Sequence, residues 1–263
     1  MTETARTTPI TLINLDRSPD RLAEFSAHNQ GTVGFERFSG VDGKSINRVD
    51  LLHRGLLAPD HQYVDGAIGC ALSHLTLWHR VVADNKSMTI CEDDAILNFD
   101  FSRITEILMD FCRDSFDFIW WGWNLDAPIL YDMFPGGIRC AAFCAQGEVS
   151  GFTETFKKAT LYPSLHRLYE VYGTMCYTVS PRGAKKLVEQ MLPIGRPRQV
   201  FSGANNRTID NLGIDQSMSA MLPNLNALVC IPPLAISKHE VTRSTIADAR
   251  GQRRKNTSVF LIE

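Results

Sequence analysis

Apolar residues along this chain follow two rhythms. Compact runs rich in β-branched and aromatic residues alternate with stretches where apolar side chains recur at three- and four-residue steps. Residues 10–15 read as a buried strand, stopped by Asp16-Arg17-Ser18-Pro19-Asp20. Ser18 followed by Pro19 is a helix start, with Leu22, Phe25 and His28 on one face. Residues 35–38 form a second short strand, and Asp42-Gly43 a turn suited to positive φ. A helical piece near 49–57 ends at Ala58-Pro59-Asp60. The clearest helix covers 66–83, with Ile68, Ala71, Leu72, Leu75, Trp78 and Val82 forming its apolar stripe. Asp84-Asn85-Lys86 then turns the chain into a strand at 88–91.

The second half is less even. Residues 99–113 are amphipathic and 116–121 read as a strand. Residues 127–165, punctuated by Pro128, Pro135-Gly136-Gly137, Gly147 and Gly151, are expected to form a mobile loop or lid. A strand is predicted at 172–179, and a helix capped by Ser180-Pro181 over 182–191. A basic, proline-containing connection covers 193–206, and residues 208–222 lead into a helix. The last strand falls at 225–231, and extended chain follows through 240. Strands alternating with helices predict an α/β fold with a mainly parallel central sheet flanked by helices. Residues 1–8 are polar and expected to be loose. Residues 9–246 form one domain, and 247–263 a basic tail carrying Arg250, Arg253, Arg254 and Lys255.

Composition narrows the class. With 263 residues, 44% of them hydrophobic, the chain can bury a substantial core. A net charge of −2 provides no global basic field, so nucleic acid is not expected as a partner. Seven scattered cysteines, an odd number, fit free thiols in a reducing compartment. Cys140 and Cys144 form the only close pair, a weak zinc signal. No signal-peptide pattern or membrane-length apolar run is seen, so a cytoplasmic location is expected. The basic tail could touch anionic headgroups at the inner face of the membrane, or simply be solvated.

The chemistry gathers at Glu92-Asp93-Asp94, which follow the strand at 88–91. Adjacent carboxylates at a strand end repel one another and cost desolvation. A divalent cation carrying phosphate oxygens would offset both, whereas a solvated acidic turn needs no ligand. The first strand also ends in chemistry-capable residues, Arg17 and Arg21, at a helix start suited to phosphate. If these two strands are parallel neighbours, their ends meet. His74 and His79 are five residues apart, which does not place them on one helix face as a metal pair. Trp120 is expected in the core, and Trp123 as a pocket wall for a sugar or base.

Four segments together resemble glycosyltransferase family 25, the lipopolysaccharide-type galactosyltransferases related to collagen galactosyltransferases. They are Ile13-Asn14-Leu15 through Arg21 with Phe35-Glu36-Arg37-Phe38 and Val41-Asp42-Gly43; Gly66 to His74 with Trp78; Glu92-Asp93-Asp94; and Gly173-Thr174 with Tyr177, Ser180, Gly183-Ala184, Asp215 and Pro233. The resemblance spans about residues 10–246. It implies a GT-A-like nucleotide-sugar-binding fold and transfer from a UDP-sugar, most often galactose, with inversion. The acceptor would be a saccharide hydroxyl, as in envelope glycolipid or lipopolysaccharide biosynthesis. It implies Mn²⁺ or Mg²⁺ held by Asp94, with Glu92 or Asp93 assisting and His239 completing the shell. Asp215 would be the general base, with Asp210 in reserve or capping a helix. Asn14, Arg17 and Arg21 would line the nucleotide, Asp42 the uridine, and Ser73 and His74 the site or its support. The Trp120–Trp123 segment and residues 127–165 depart from the family pattern where acceptor recognition is expected. The competing readings are a metal-dependent phosphoesterase using the same acids, which would want further ligands for a second metal, and a non-catalytic nucleotide-sugar-binding relative.

Overall fold

The computed structural model describes residues 9–237 apart from 114, 135 and 145–148. The expectations for residues 1–8, His239 and the basic tail therefore lie outside the described residues. The elements open with β1 (Ile10–Asn14), α1 (Pro19–His28), β2 (Phe35–Ser39), α2 (Arg48–His53) and α3 (Asp65–Asp84). Next come β3 (Met88–Glu92), β4 (Ala95–Leu97), α4 (Phe101–Cys112), β5 (Phe118–Gly122), β6 (Ile129–Asp132) and β7 (Arg139–Ala142). The rest are α5 (Val149–Lys158), β8 (Ser164–Glu170), β9 (Cys176–Val179), α6 (Pro181–Gln190), β10 (Gln199–Ser202), β11 (Arg207–Asp210), α7 (Ile214–Met221), β12 (Ala227–Ile231) and β13 (Ala235–Ser237).

A strand apolar on both faces must be covered on both. In β5 the period-two alternation divides its side chains between two cores. Phe118 and Trp120 join one with Leu75 and Trp78 of α3 and Leu187 of α6. Ile119 and Trp121 join the other with Phe25 of α1 and Phe101 of α4. Strand β12 divides in the same way, Val229 to the first core and Cys230 to the second. The result is a nine-stranded sheet between two helical layers, in the order β2-β1-β3-β9-β5-β12-β8-β6-β7.

The α/β class is as expected, but the sheet is mixed rather than mainly parallel. Only β1–β2, β1–β3 and β5–β12 are parallel pairs. Strand β9 runs antiparallel between β3 and β5, and β8, β6 and β7 continue antiparallel to the edge. Burial periodicity sets which face a residue takes; it carries no sign for strand direction. The stretch 127–165 is likewise more regular than expected. It holds the β6–β7 hairpin and α5, whose Phe156 is buried with Ile96 and Ile236. Asn98 ties α5 down by donating to the Phe156 and Ala159 carbonyls at 2.7 and 2.9 Å. The strand expected at 172–179 is confined to its last four residues, and residues 171–175 form a loop.

Both proline-led helices start where expected, by different means. Ser180 accepts a capping bond from the Gly183 amide at 3.1 Å, whereas Ser18 makes no side-chain cap. The start of α6 is further fixed by Asp117, whose carboxylate is 1% exposed. It accepts from Arg182 Nε at 2.6 Å, Lys186 Nζ at 2.7 Å and the Asn226 amide at 2.8 Å. Desolvation works to raise this carboxyl, but the two cations and the amide outweigh it and hold it below the usual carboxylate range.

A lowered folded-state pKa gives stability that is present above the unfolded value and lost as pH falls through the folded one. Asp117→Asn should therefore cost about 2–3 kcal/mol at neutral pH, with half-exposed Arg182 discounting the full cost of a broken buried pair. The deficit should shrink below about pH 4. Urea unfolding of both proteins across pH 3–7 checks this; a pH-independent deficit would contradict it.

Candidate active site

Strands β1 and β3 are parallel neighbours with Ile13 opposite Glu92, so their carboxyl ends do meet. Asn14, 2% exposed, is the joint. Its amide donates to Asp93 Oδ2 at 2.7 Å and to the Ser18 carbonyl at 3.0 Å, while its Oδ1 accepts from Arg37 Nε at 3.0 Å. Arg21, from α1, forms an ion pair with the other oxygen of Asp93. One strand end thus holds the start of the next helix against the acids.

The three acids divide sharply. Asp93 is taken up by Asn14 and Arg21; burial still pushes its carboxyl upward, against the pull of both partners. Glu92 accepts from the Thr174 hydroxyl, and its Oε1 lies 3.6 Å from His74 Nε2. Burial works to raise Glu92 too, but His74, Thr174 and Arg21 together bring it below its ordinary value. Asp94 is pushed up to about 7, first by desolvation and next by the Glu92 charge. Asp94 as a whole is nevertheless an exposed residue, and the wall of the neighbouring cavity carries Glu92 and Asp93 rather than Asp94.

Behind Glu92, His74 is fully buried. Its Nδ1 lies 2.7 Å from the Tyr177 hydroxyl, which also accepts from Trp78 Nε1 at 2.9 Å. The loop at 171–175 spans from Glu92 to α7. Thr174 holds Glu92, and the amide of Gly173 (φ +87°) donates to Asp215 Oδ2 at 3.0 Å. A side chain at Gly173 would strain this conformation and meet the Asn124 side chain at 2.4 Å. Asp215 is close enough, with Glu92 and Asp94, to help burial push the Cys70 thiol well up.

The third wall is the turn at 41–43. Gly43 is required by close approach, not by positive φ as expected: a Cβ there would lie 1.9 Å from the Asp65 carbonyl. Ser73 on α3 accepts from the Val41 amide at 2.8 Å and so supports this turn, and it also lies on the cavity wall. Asp42 caps the short helical turn that follows, and its pKa is lowered by the Lys44 amide and by Arg17, whose Nε is 2.7 Å away. A cavity of about 90 Å³ lies between these walls, lined by Asn14, Arg17, Arg21, Cys70, His74 and Glu92, among others. A larger cavity of about 700 Å³ has Ile10, Lys86, Thr89 and Arg182 on its wall and none of the acids. The carboxylate chemistry marks the smaller one as the candidate site.

Two expected residues are placed elsewhere. Asp210 lies exposed on the β10–β11 hairpin and accepts from Gln199 at 3.0 Å; it does not cap α7, whose N-cap is Gly213. Trp123 is 4% exposed and belongs to the core, with its indole N–H buried and unpartnered among the described residues. Three residues carried no assigned role in the sequence. Thr174 and Tyr177 stood there only within the family resemblance and a strand-like run, whereas Cys70 is four residues from His74 on one helix, a spacing visible in the sequence.

A mixed α/β sheet with carboxylates and arginines gathered at parallel strand ends is consistent with a GT-A-like nucleotide-sugar fold. Residues 7–201 match the model of glycosyltransferase family 25 (LPS biosynthesis protein). The chain belongs to glycosyltransferase family 25. It is 31% identical over 192 residues to a glycosyltransferase 25 family member of Aedes aegypti, and 26% over 202 residues to procollagen galactosyltransferase 1 of Danio rerio. It is 28% identical over 204 residues to the inactive glycosyltransferase 25 family member 3 of Mus musculus. These alignments cover 69%, 70% and 70% of this chain but only 28%, 29% and 30% of those relatives. The chain thus spans about a third of the length of the curated relatives it matches. Among solved structures, A197 from STIV aligns over 86% of this chain and 83% of that one, at TM-score 0.34 and 11% identity, too distant to bear on the argument.

The Arg21–Asp93 pair should be a strongly coupled structural contact. Arg21→Met leaves Asp93 buried without its cation, and Asp93→Asn leaves the guanidinium without its anion. The double variant should recover about 1–3 kcal/mol relative to the sum of the single losses. A double-mutant cycle by chemical denaturation measures this, and additive losses would show the pair to be uncoupled.

Proposed function

We propose that the chain is a metal-dependent, inverting glycosyltransferase that moves a sugar, galactose in the first instance, from a UDP-sugar to a hydroxyl of a saccharide acceptor. The acceptor we favour is a glycolipid of the cell envelope, reached from the cytoplasmic side. Among the described residues no helix is long and apolar enough to cross a membrane. The observation that carries the reading is the unequal division of the acids. Asp93 is spent on Asn14 and Arg21, and Glu92 is bound by Thr174, while Asp94 is an exposed residue that forms no ion pair among the described residues.

Such a site fits a hard divalent cation, Mn²⁺ or Mg²⁺. Three carboxylates face a single contacting guanidinium, the donors are oxygens, and the excess negative charge is what a cation bridging to phosphate would offset. Asp94 would hold the ion, with Glu92 beside it. The ion would neutralise the charge that develops on the departing diphosphate. The chain's own residues do the rest. Arg17 and Arg21 border the cavity from the β1 end and supply positive charge toward a diphosphate. Asp42, already paired with Arg17, sets the far edge where a uridine would lie. Asp215, oriented by the Gly173 amide, would accept the proton of the acceptor hydroxyl on the face opposite the leaving group.

A second reading has an observation in its favour. The mouse relative, and one from Rattus norvegicus, carry "inactive" in their names, so a nucleotide-sugar-binding member without turnover is its natural competitor. Calorimetry of UDP with and without Mn²⁺ tests the shared premise. UDP should bind at least ~10-fold more tightly with the ion present, a difference of about 1.4 kcal/mol, and Asp94→Ala should remove that gain. Absence of any metal effect in the parent protein would overturn the site. Asp215→Asn should then lower turnover of a UDP-sugar by ~10²–10⁴-fold without weakening UDP binding. Tight metal-dependent UDP binding with no transfer or hydrolysis of any UDP-sugar would favour the non-catalytic reading.

A further inference from the structure

Beside the acidic end of β3 lies a second donor set of different chemical character. Cys70 and His74 are one helical turn apart on α3, so both side chains leave the same face. The end of β3 brings Glu92 against them, and one ligand atom from each residue lies within 4.8 Å of the other two. His74 Nε2 is fully buried, points at Glu92 Oε1 from 3.6 Å and has no hydrogen-bond partner among the described residues.

We propose that Cys70 Sγ, His74 Nε2 and Glu92 Oε1 bind a zinc-class ion at the back of the cavity. Bond lengths to a tetrahedral Zn²⁺ place N and O ligands roughly 3.3–3.6 Å apart, which the His74–Glu92 pair already satisfies. The Cys70 thiol sulfur already lies within 4.8 Å of both of these atoms. The far nitrogen of His74 is oriented as metal-bound imidazoles require. With its ring proton on Nδ1 it donates to the Tyr177 oxygen 2.7 Å away, and that oxygen is itself fixed by Trp78. One thiolate, one imidazole and one carboxylate leave a fourth position. All three residues line the cavity, so that position opens toward a water or a ligand oxygen.

The sulfur decides which metal is taken. A thiolate with an imidazole selects Zn²⁺ and its chemical neighbours, whereas Mg²⁺ and Mn²⁺ take oxygen donors. The two ions are therefore not alternatives for one seat, although they share Glu92 as a common wall. Binding expels the thiol proton: Cys–SH and Zn²⁺ give the zinc thiolate and H⁺, with no change of oxidation state. The proposal stands on donor geometry and is independent of sugar transfer. Loss of metal-dependent UDP binding would leave it intact, and its own failure would leave the Asp94 site standing.

The test is cobalt substitution of the full chain after chelator treatment. Co²⁺ should produce a thiolate-to-metal charge-transfer band and the intense visible bands of a four-coordinate ion. Zn²⁺ should bleach them at one equivalent, and excess Mn²⁺ should not. Cys70→Ser and Cys70→Ala should each lose the charge-transfer band and bind Co²⁺ at least ~10-fold more weakly, with thermal melting confirming that both are folded. A pale six-coordinate spectrum in the parent protein, or a thiolate band that survives in both variants, would overturn the assignment.

Discussion

The structure is organised around the cost of holding three consecutive carboxylates at the end of one strand. That cost cannot be met by water alone, because Glu92 and Asp93 are partly buried. It is met from neighbouring elements. Asn14 and Arg21 reach across from β1 and α1, Thr174 from the loop before β9, and His74 from α3. Each contact also positions the element it comes from. The packing of α1 against the sheet, the entry of β9 and the rotation of α3 all converge on the same small group of oxygens.

Support for the site extends outward through groups that brace its walls. Ser73 looks like a site residue in the sequence because it sits beside His74, yet its hydroxyl holds the Val41 amide. That bond and the close approach at Gly43 fix the turn that carries Asp42 against the first turns of α3. The Trp78–Tyr177–His74 chain does the same from inside the core. Motif residues in such a fold therefore mix two kinds of work. Some present atoms to the cavity, and others hold the presenting backbone within the few tenths of an ångström that coordination chemistry requires.

What was legible in the sequence follows from this division. Strands β1 and β3, helix α3 and the acidic end of β3 were readable because burial periodicity and the acid run are local signals. Asn14 stood out as a site residue only through the family resemblance, and its partner Asp93 is 79 positions away. The direction of β9 was not readable. Its four residues are buried on both faces, and such a strand looks the same whether it runs parallel or antiparallel. The regularity of 129–158 was masked by prolines and glycines that mark hairpin turns as readily as loops. Asp210 stood out by its place before the late helix and Trp123 by its place past Gly122 beside polar residues, local cues that carry no tertiary information. The fold set the first on an exposed hairpin and the second in the core.

The uneven roles of the acids bear on what family membership implies for catalysis. The family match ends at residue 201, short of Asp215, so it rests on the fold and the donor-side walls and says nothing of the base. Asp93 serves the scaffold: its two oxygens are taken by Asn14 and Arg21, a joint that holds β1 and α1 to the end of β3. Asp94 forms no ion pair among the described residues, and burial and the neighbouring Glu92 charge push its carboxyl up to about 7.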